Sequence, residues 1–433
     1  MLRIRQVLDV LRHRLLFIPA LGVIVAVCLS QIALRLDNAV ADEDVPRVLD
    51  TTVDSARSIL AAISGGLISS VTLLLSMTLV AVQLASTQFS PRTVRDWTGN
   101  RTQQITIAIV LGTAVFCLLI LRETRSDDNG DEFIPHLSVT LAMALGVLSL
   151  IAVVRSVDHL ADSMRIGAVA KSILSATTEL IGQRDAVTSA ESPSNKPVNL
   201  SATSDREIDV PEGAQAITAI ETGWIQQIDL DALFEAIPEN CTAYAITSLG
   251  TFTPPNVPLV WVWPKPASDC SEQIRAAFAV GDTRTMQQDV AFGILQLTDI
   301  AVRALSPGIN DPNTANDVVA HLGAVLLTLW EEPQGEARRS EGSRTLIHRD
   351  LTHDDYLRSV VDPLRTYAMA DKAVVANIAR MLLMLKSETV RRDLPGPVEP
   401  INEQLGVLAT AVENSGLLQV DQRELGQLLH GGS

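Results

Sequence analysis

Residues 59–84 read ILAAISGGLISSVTLLLSMTLVAVQL, and the reading of this stretch decides the fold. It contains no Asp, Glu, Lys or Arg. As a straight helix it would be about 39 Å long, more than the ~30 Å hydrocarbon core of a bilayer. An uncharged stretch of that length predicts a transmembrane helix that tilts or projects beyond the membrane. The stretch is not uniformly apolar. Gly65, Ser69, Thr72, Ser76 and Gln83 recur at helical spacing and share one face, while Leu67, Val71 and Leu74 lie opposite. Two readings compete for the polar stripe. Small residues let helices pack closely, with hydroxyls bonding across the contact. Alternatively, the hydroxyls and the amide line a water-filled conduit and replace lost hydration.

Three further apolar stretches surround it, at residues 15–34, 105–121 and 137–154. The connecting segments alternate in charge. Arg3, Arg5, Arg12 and Arg14 precede the first span, Arg92, Arg95 and Arg101 separate the second from the third, and Arg155 and Arg165 follow the fourth. The other two loops are acidic, one around Asp37, Asp42, Glu43, Asp44, Asp50 and Asp54, the other around Glu123, Asp127, Asp128, Asp131 and Glu132. Basic loops stay in the cytoplasm, so this alternation places both termini there. The first span has a basic start, and Ala39-Val40-Ala41 resembles a cleavage site. Its apolar run is longer than a signal core, so it is expected to remain as a helix. The absence of a charged residue inside any span argues against a proton-coupled pump and leaves a passive pore open. Acidic outer loops would concentrate cations at the mouth of an oligomeric pore; they equally serve topology and solubility.

The chain has 433 residues, 47% of them hydrophobic, and the apolar excess is confined to the first third. The expected organisation is a four-helix transmembrane domain (1–154), a helical extension and linker (155–205), a small β-rich module (206–270) and a helical domain (271–433). The fold class is thus membrane α-helical followed by an α+β cytoplasmic region. The linker is marked by the Ser- and Pro-rich run AVTSAESPSNKPVNLSATSD, residues 186–205. In the β-rich module, short apolar runs at 216–220, 223–228, 243–246 and 259–263 surround a short helix at 230–236. The Gly-Trp turn, IQQIDLDAL and the Gly-Thr-Phe loop before PLVWVW resemble a barrel-sandwich domain of the biotinyl or lipoyl type. A lysine at the hairpin tip is missing, so no cofactor is expected. Helices are predicted over 286–305, 314–330, 356–370 and 372–386, with two more within 399–429.

A net charge of −16 argues against nucleic-acid binding. Cys28, Cys117, Cys241 and Cys270 show no C-x-x-C spacing and suggest neither a zinc ribbon nor a redox motif. His348-Arg349-Asp350-Leu351 echoes a kinase catalytic loop, but Asp355 stands where a metal-binding Asn belongs. Thr352-His353-Asp354-Asp355 reads as a helix capping box rather than a metal cluster. HExxH, P-loop, G-x-S-x-G and dinucleotide signatures are missing, and neither a catalytic residue nor a metal ligand is expected.

Two segments stand out from the core pattern. Ser86-Thr87-Gln88-Phe89-Ser90-Pro91-Arg92 follows the second span directly. Ala304-Leu305-Ser306-Pro307-Gly308-Ile309-Asn310-Asp311-Pro312-Asn313-Thr314-Ala315 joins two helices. With the four spans, these resemble a bacterial membrane-protein family, the domain of unknown function 2254. The resemblance covers essentially the whole chain and implies architecture, with no catalytic residues to carry over. After Asp311-Pro312 this chain has Asn313 in place of the family's aromatic-like residue. In the turn itself, Pro307 and Gly308 stop one helix and Asp311 or Thr314 caps the next. Ser306, Asn310 and Asp311 could instead contribute a ligand site or a subunit contact.

The expected function is a homo-oligomeric channel-like protein of the bacterial inner membrane. It would pass small inorganic cations through a pore lined by the second span, with a cytoplasmic regulatory or vestibule domain. A four-span protomer has little interior, so a conduit calls for several copies. The expected partners are the lipid bilayer and the chain itself. The alternative is a membrane-anchored scaffold or sensor whose cytoplasmic domain binds a partner or ligand. An enzyme is the least expected reading.

Overall fold

The computed structural model describes residues 17–40, 52–88, 101–126, 132–163, 166–190 and 210–430. The arginines before the first span, residues 42–50, 89–96, 127–131 and 165, and residues 191–205 of the expected linker lie outside the described residues, while its first five residues, 186–190, are helical. The chain divides into two compact units, Met1–Arg165 and Ile166–Ser433.

The first unit holds four helices long and apolar enough to cross a membrane. They are α1 (Phe17–Val40), α2 (Val53–Gln88), α3 (Arg101–Glu123) and α4 (His136–Ser163). They run alternately up and down. Asp37 near the end of α1 meets the start of α4, and Arg57 at the start of α2 meets the end of α3. Two short strands, β1 (Arg125–Ser126) and β2 (Glu132–Phe133), pair antiparallel before α4.

The central helix is α3, which packs against the other three. Its contact with α1 is close enough to exclude side chains: a Cβ on Gly22 would stand 2.8 Å from the Ala108 Cβ. Small residues at such crossings let backbones approach, the main source of packing energy where lipid is as apolar as leucine. Around this contact, Ala26, Leu60, Phe116, Ile120 and Val139 form one cluster, and Leu67, Val110 and Ala114 a second. Polar side chains tie helix ends together. The Asp37 carboxylate accepts from Leu137 N (2.8 Å) and Ser138 N (3.0 Å), capping α4. The Arg57 guanidinium donates to the Thr124 carbonyl at 2.9 and 3.2 Å, complementing the C-terminal end of α3. Ser149 Oγ reaches Thr113 Oγ1 at 3.0 Å, and Gln103 Nε2 donates to Thr78 Oγ1.

The second unit begins with α5 (Ile166–Ala190), which packs on α8 (Val290–Ala304) and α9 (Pro312–Leu329). Gly293 of α8 leaves room for Thr177 of α5. The strands are β3 (Gln215–Thr218), β4 (Gly223–Ile228), β5 (Thr242–Ala245), β6 (Phe252–Thr253), β7 (Pro258–Trp263), β8 (Phe278–Gly281), β9 (Glu336–Glu341) and β10 (Arg344–Arg349). They form a five-stranded sheet, β3-β7-β5-β10-β9, and a three-stranded sheet, β6-β4-β8. Among the described strands, only β5 and β10 pair parallel. Ile217, Ile225, Leu233, Val260, Ile274 and Leu346 belong to their common core, with the short helices α6 (Leu230–Glu235) and α7 (Ser271–Ala276).

This corrects two expectations. The strands pair as two sheets, and no ladder among the described residues closes them into a barrel. Residues after 270, read as helical, supply β8, β9 and β10. The hairpin β9–β10 shows no apolar strand signal because its outer strand, EARRSE, is charged along the sheet edge, a common guard against edge-to-edge pairing. Only Leu346 and Ile347 of the inner strand are buried.

The remaining helices follow the apolar periodicity and their caps. They are α10 (His353–Ala368), α11 (Lys372–Arg392), α12 (Val398–Glu413) and α13 (Gln419–His430). Asp289 accepts from Phe292 N at 3.0 Å, which starts α8 at Val290 rather than at Met286. Thr352 and Asp355 form the reciprocal capping box of α10. Trp330 and Tyr356 are among the largest fully buried side chains.

Candidate functional site

The α2 helix has two opposite faces. Leu60, Ser64, Leu67, Leu74, Thr78 and Ala81 are buried within the unit. Gly65, Ser69, Thr72, Ser76 and Gln83 are all exposed. At ~100° per residue, the centres of the two faces lie nearly 180° apart. The polar stripe therefore faces away from the side by which α2 packs in its own bundle, and a Cβ on Gly65 would meet nothing within 4 Å.

The stripe is longer than the sequence reading made it. Stepping back from Gly65 by seven and eleven residues reaches Ser58 and Asp54, which α2 carries on the same exposed face. Asp54, expected in the acidic loop before the span, lies in the first turn of the helix.

The hydroxyls are satisfied locally. Ser69 donates to the Gly65 carbonyl (3.0 Å), Thr72 to Ile68 (3.2 Å) and Ser76 to Thr72 (2.9 Å). Such back-bonding removes most of the cost of placing a hydroxyl in an apolar medium. It also sets the chemistry of the face. A hydroxyl whose proton points at its own helix retains oxygen lone pairs for an outside partner. The row therefore presents acceptors, ending in the Asp54 carboxylate, with donors from the Gln83 amide. Water and cations suit such a surface better than anions do.

The acidic residues at the ends of the candidate spans contribute unequally. Asp37 is buried and its carboxylate is occupied at the start of α4, which removes it from any ring of mouth carboxylates. Asp54 is exposed.

The turn between α8 and α9 brings Ser306, Asn310 and Asp311 together, as its sequence suggested. The geometry uses them to end one helix and start the next. Ser306 Oγ donates to the Arg303 carbonyl at 2.6 Å, and the Asn310 N–H to the Ser306 carbonyl at 2.9 Å. Asp311 N–H reaches back to the Ala304 carbonyl (2.8 Å), while its carboxylate accepts from Thr314 N (3.1 Å) and Oγ1 (2.6 Å). The hydrogen bonds from Thr314, side chain first, hold the Asp311 carboxyl below its ordinary pKa. Asn310 is exposed with φ of 49°, the left-handed conformation that Asn tolerates in a tight turn. Among the three, only Asn310 is exposed.

His353, next to the carboxylates of an apparent metal cluster in the sequence, is the first residue of α10, and its ring Nε2 pairs with the Glu332 carbonyl at 2.9 Å. Burial pushes its pKa down, which favours the neutral ring.

Comparison with known proteins agrees with this architecture. A family model described as a predicted membrane protein (DUF2254) matches residues 12–384. Uncharacterised proteins of Mycobacterium tuberculosis and Mycobacterium bovis are 30% identical over 397 residues, covering 88% of this chain and 73% of theirs. No solved structure matches the chain.

Proposed function

This chain belongs to the DUF2254 family of predicted membrane proteins, and from that premise we propose that it is a homo-oligomeric, channel-like protein. Several copies place their α2 stripes around a shared axis and pass small cations. The observation that supports this most is the outward position of the stripe, opposite the face by which α2 packs in its own bundle. The alternation of basic and acidic segments along the sequence favours a bacterial inner-membrane orientation with both termini in the cytoplasm. The second unit is then a cytoplasmic, regulatory region without an enzymatic role.

The second reading is a membrane-anchored scaffold or sensor. The back-bonded hydroxyls favour it, because a stripe satisfied by its own helix can also rest against lipid. An open cleft of about 520 Å³ lined by Phe234, Glu235, Glu239, Arg339 and Arg344 offers such a protein a place for a ligand.

Conductance of the purified protein in a planar bilayer separates the two. The channel reading predicts a cation current that falls at least tenfold in Ser76→Leu, since an apolar side chain in a narrow polar pore removes hydration substitutes. A silent bilayer from an intact oligomer would favour the scaffold.

A further inference from the structure

In lipid the hydrophobic effect does not choose which side of a helix faces its neighbours, because acyl chains are as apolar as leucine. The α2 helix makes this concrete. Turning it by one residue step, about 100°, would bring Ile68 and Leu75 to where Leu67 and Leu74 now pack. Ile68 and Leu75 are both exposed, so apolar burial alone barely distinguishes the two rotations. Something directional has to hold the polar stripe outward.

Two polar contacts meet that requirement, one to the residue that follows α3 and one to α3 itself, toward opposite ends of α2. At one end the Arg57 guanidinium bonds the Thr124 carbonyl with both Nε (3.2 Å) and Nη2 (2.9 Å). At the other, Gln103 Nε2 donates to Thr78 Oγ1, which itself donates to the Leu74 carbonyl at 2.7 Å. Gln103 and Thr78 are buried. Thr78 lies on the face opposite Ser69, Thr72 and Ser76, so anchoring it aims the stripe away from the bundle. A steric key lies between the two bonds: Ile63 rests over Gly146 of α4, where a Cβ would stand 3.2 Å from the Ile63 Cγ2.

We propose that Gln103 and Arg57 are positioning residues that fix the rotation of α2 and thereby the direction of its polar stripe. The consequence for conduction rests on the channel reading; the rotation itself does not. Neither residue lies on the stripe, and both act through contacts to the opposite or flanking side of the helix.

The test uses the full-length protein in membranes, with Cys28→Ala and Cys117→Ala. Paired cysteines at Leu67 and Ala114, which share a buried cluster, report the rotation by cross-linking. A second pair at Ala33 and Val139, in the cluster that joins α1 and α4, reports bundle integrity. Gln103→Leu and Thr78→Val are expected to lower the first yield about fivefold, the population shift that one interhelical hydrogen bond in lipid supports, and to spare the second. Thr78→Ser keeps the hydroxyl and should retain the parent yield. Equal first-pair yields in the parent, Gln103→Leu and Thr78→Val overturn the proposal. A fall in both pairs overturns it as well, since Gln103 would then hold the bundle together rather than orient one helix. Labelling of Ser76→Cys by a water-soluble thiol reagent judges the channel reading separately. An unreactive Ser76→Cys in the parent sinks the conduit and leaves the cross-linking result to decide the rotation.

Discussion

Helices α2 and α8 bury their faces for different reasons. On α8, Val290, Ile294, Leu297 and Ile300 are buried together, and the polar Asp299 lies less deeply. Water makes this rotation decisive, because each exposed apolar side chain would cost roughly 1.5–3 kcal/mol. On α2 the exposed face carries Leu73, Leu75 and Leu79 as readily as the buried face carries Leu67 and Leu74. There the orientation depends on small-residue contacts and on hydrogen bonds such as Gln103 to Thr78. One sequence thus uses hydrophobic periodicity to orient helices in its second unit and polar or steric detail in its first.

The sharpest way to break that contrast is a pair of truncations. Trp330→Ala empties a fully buried site at the end of α9, and should cost about 3–5 kcal/mol. Leu74→Ala removes a side chain that is also buried, yet in lipid only its packing contacts are lost, so a cost of about 1 kcal/mol is expected. Chemical denaturation of the detergent-solubilised protein, read by proteolysis of each unit, measures both. Comparable losses would show that α2 is held by water-driven burial after all.

Gly22 supplies the next largest effect. A leucine there would push against Ala108, where even a Cβ stands within 2.9 Å of the backbone carbonyl. Overpacking of this kind costs about 1–3 kcal/mol. The expected result is a lower melting temperature of the membrane unit with the second unit unaffected; Gly66→Leu, where a Cβ meets nothing within 4 Å, is the matched control. Equal shifts in the two variants would remove the α1–α3 crossing as the reason for the small residue.

The same contrast explains what could be read in advance. Four spans were legible because length and lack of charge suffice for a transmembrane helix. The helices of the second unit were legible through apolar spacing and caps such as Asp311 and Thr352. The stripe is visible from Gly65 to Gln83, but the charges of residues 54 and 57 give the start of α2 the composition of a loop, which hides Asp54 and Ser58. Arg57, Asp37 and Gln103 were out of reach for another reason. Each acts on a partner at least 25 residues away, and nothing in the local pattern points to it. The pairing of β10 with β5 is long-range in the same way, since Leu346 lies beside Ala243.

Asp311 offers the finest test, because it asks whether a prominent motif is a cap or a site. Its carboxylate holds Thr314 N and Oγ1 at the start of α9, and replacing such a cap by Ala costs about 1 kcal/mol. The folded-state pKa is lowered from the ordinary value of 3.8. The contribution is therefore full above that value and is lost as pH falls through the lower, folded pKa. Asp311→Ala should destabilise the second unit at neutral pH and flatten the acid limb of its stability profile below about pH 4. Asp311→Asn or Asp311→Ser, which retain a capping oxygen, should recover most of the loss at neutral pH. A variant that melts like the parent yet loses oligomerisation or conductance would instead make the turn a contact or ligand site. In that case a motif with clear helix-ending geometry would join the α2 stripe as part of the working surface of the protein.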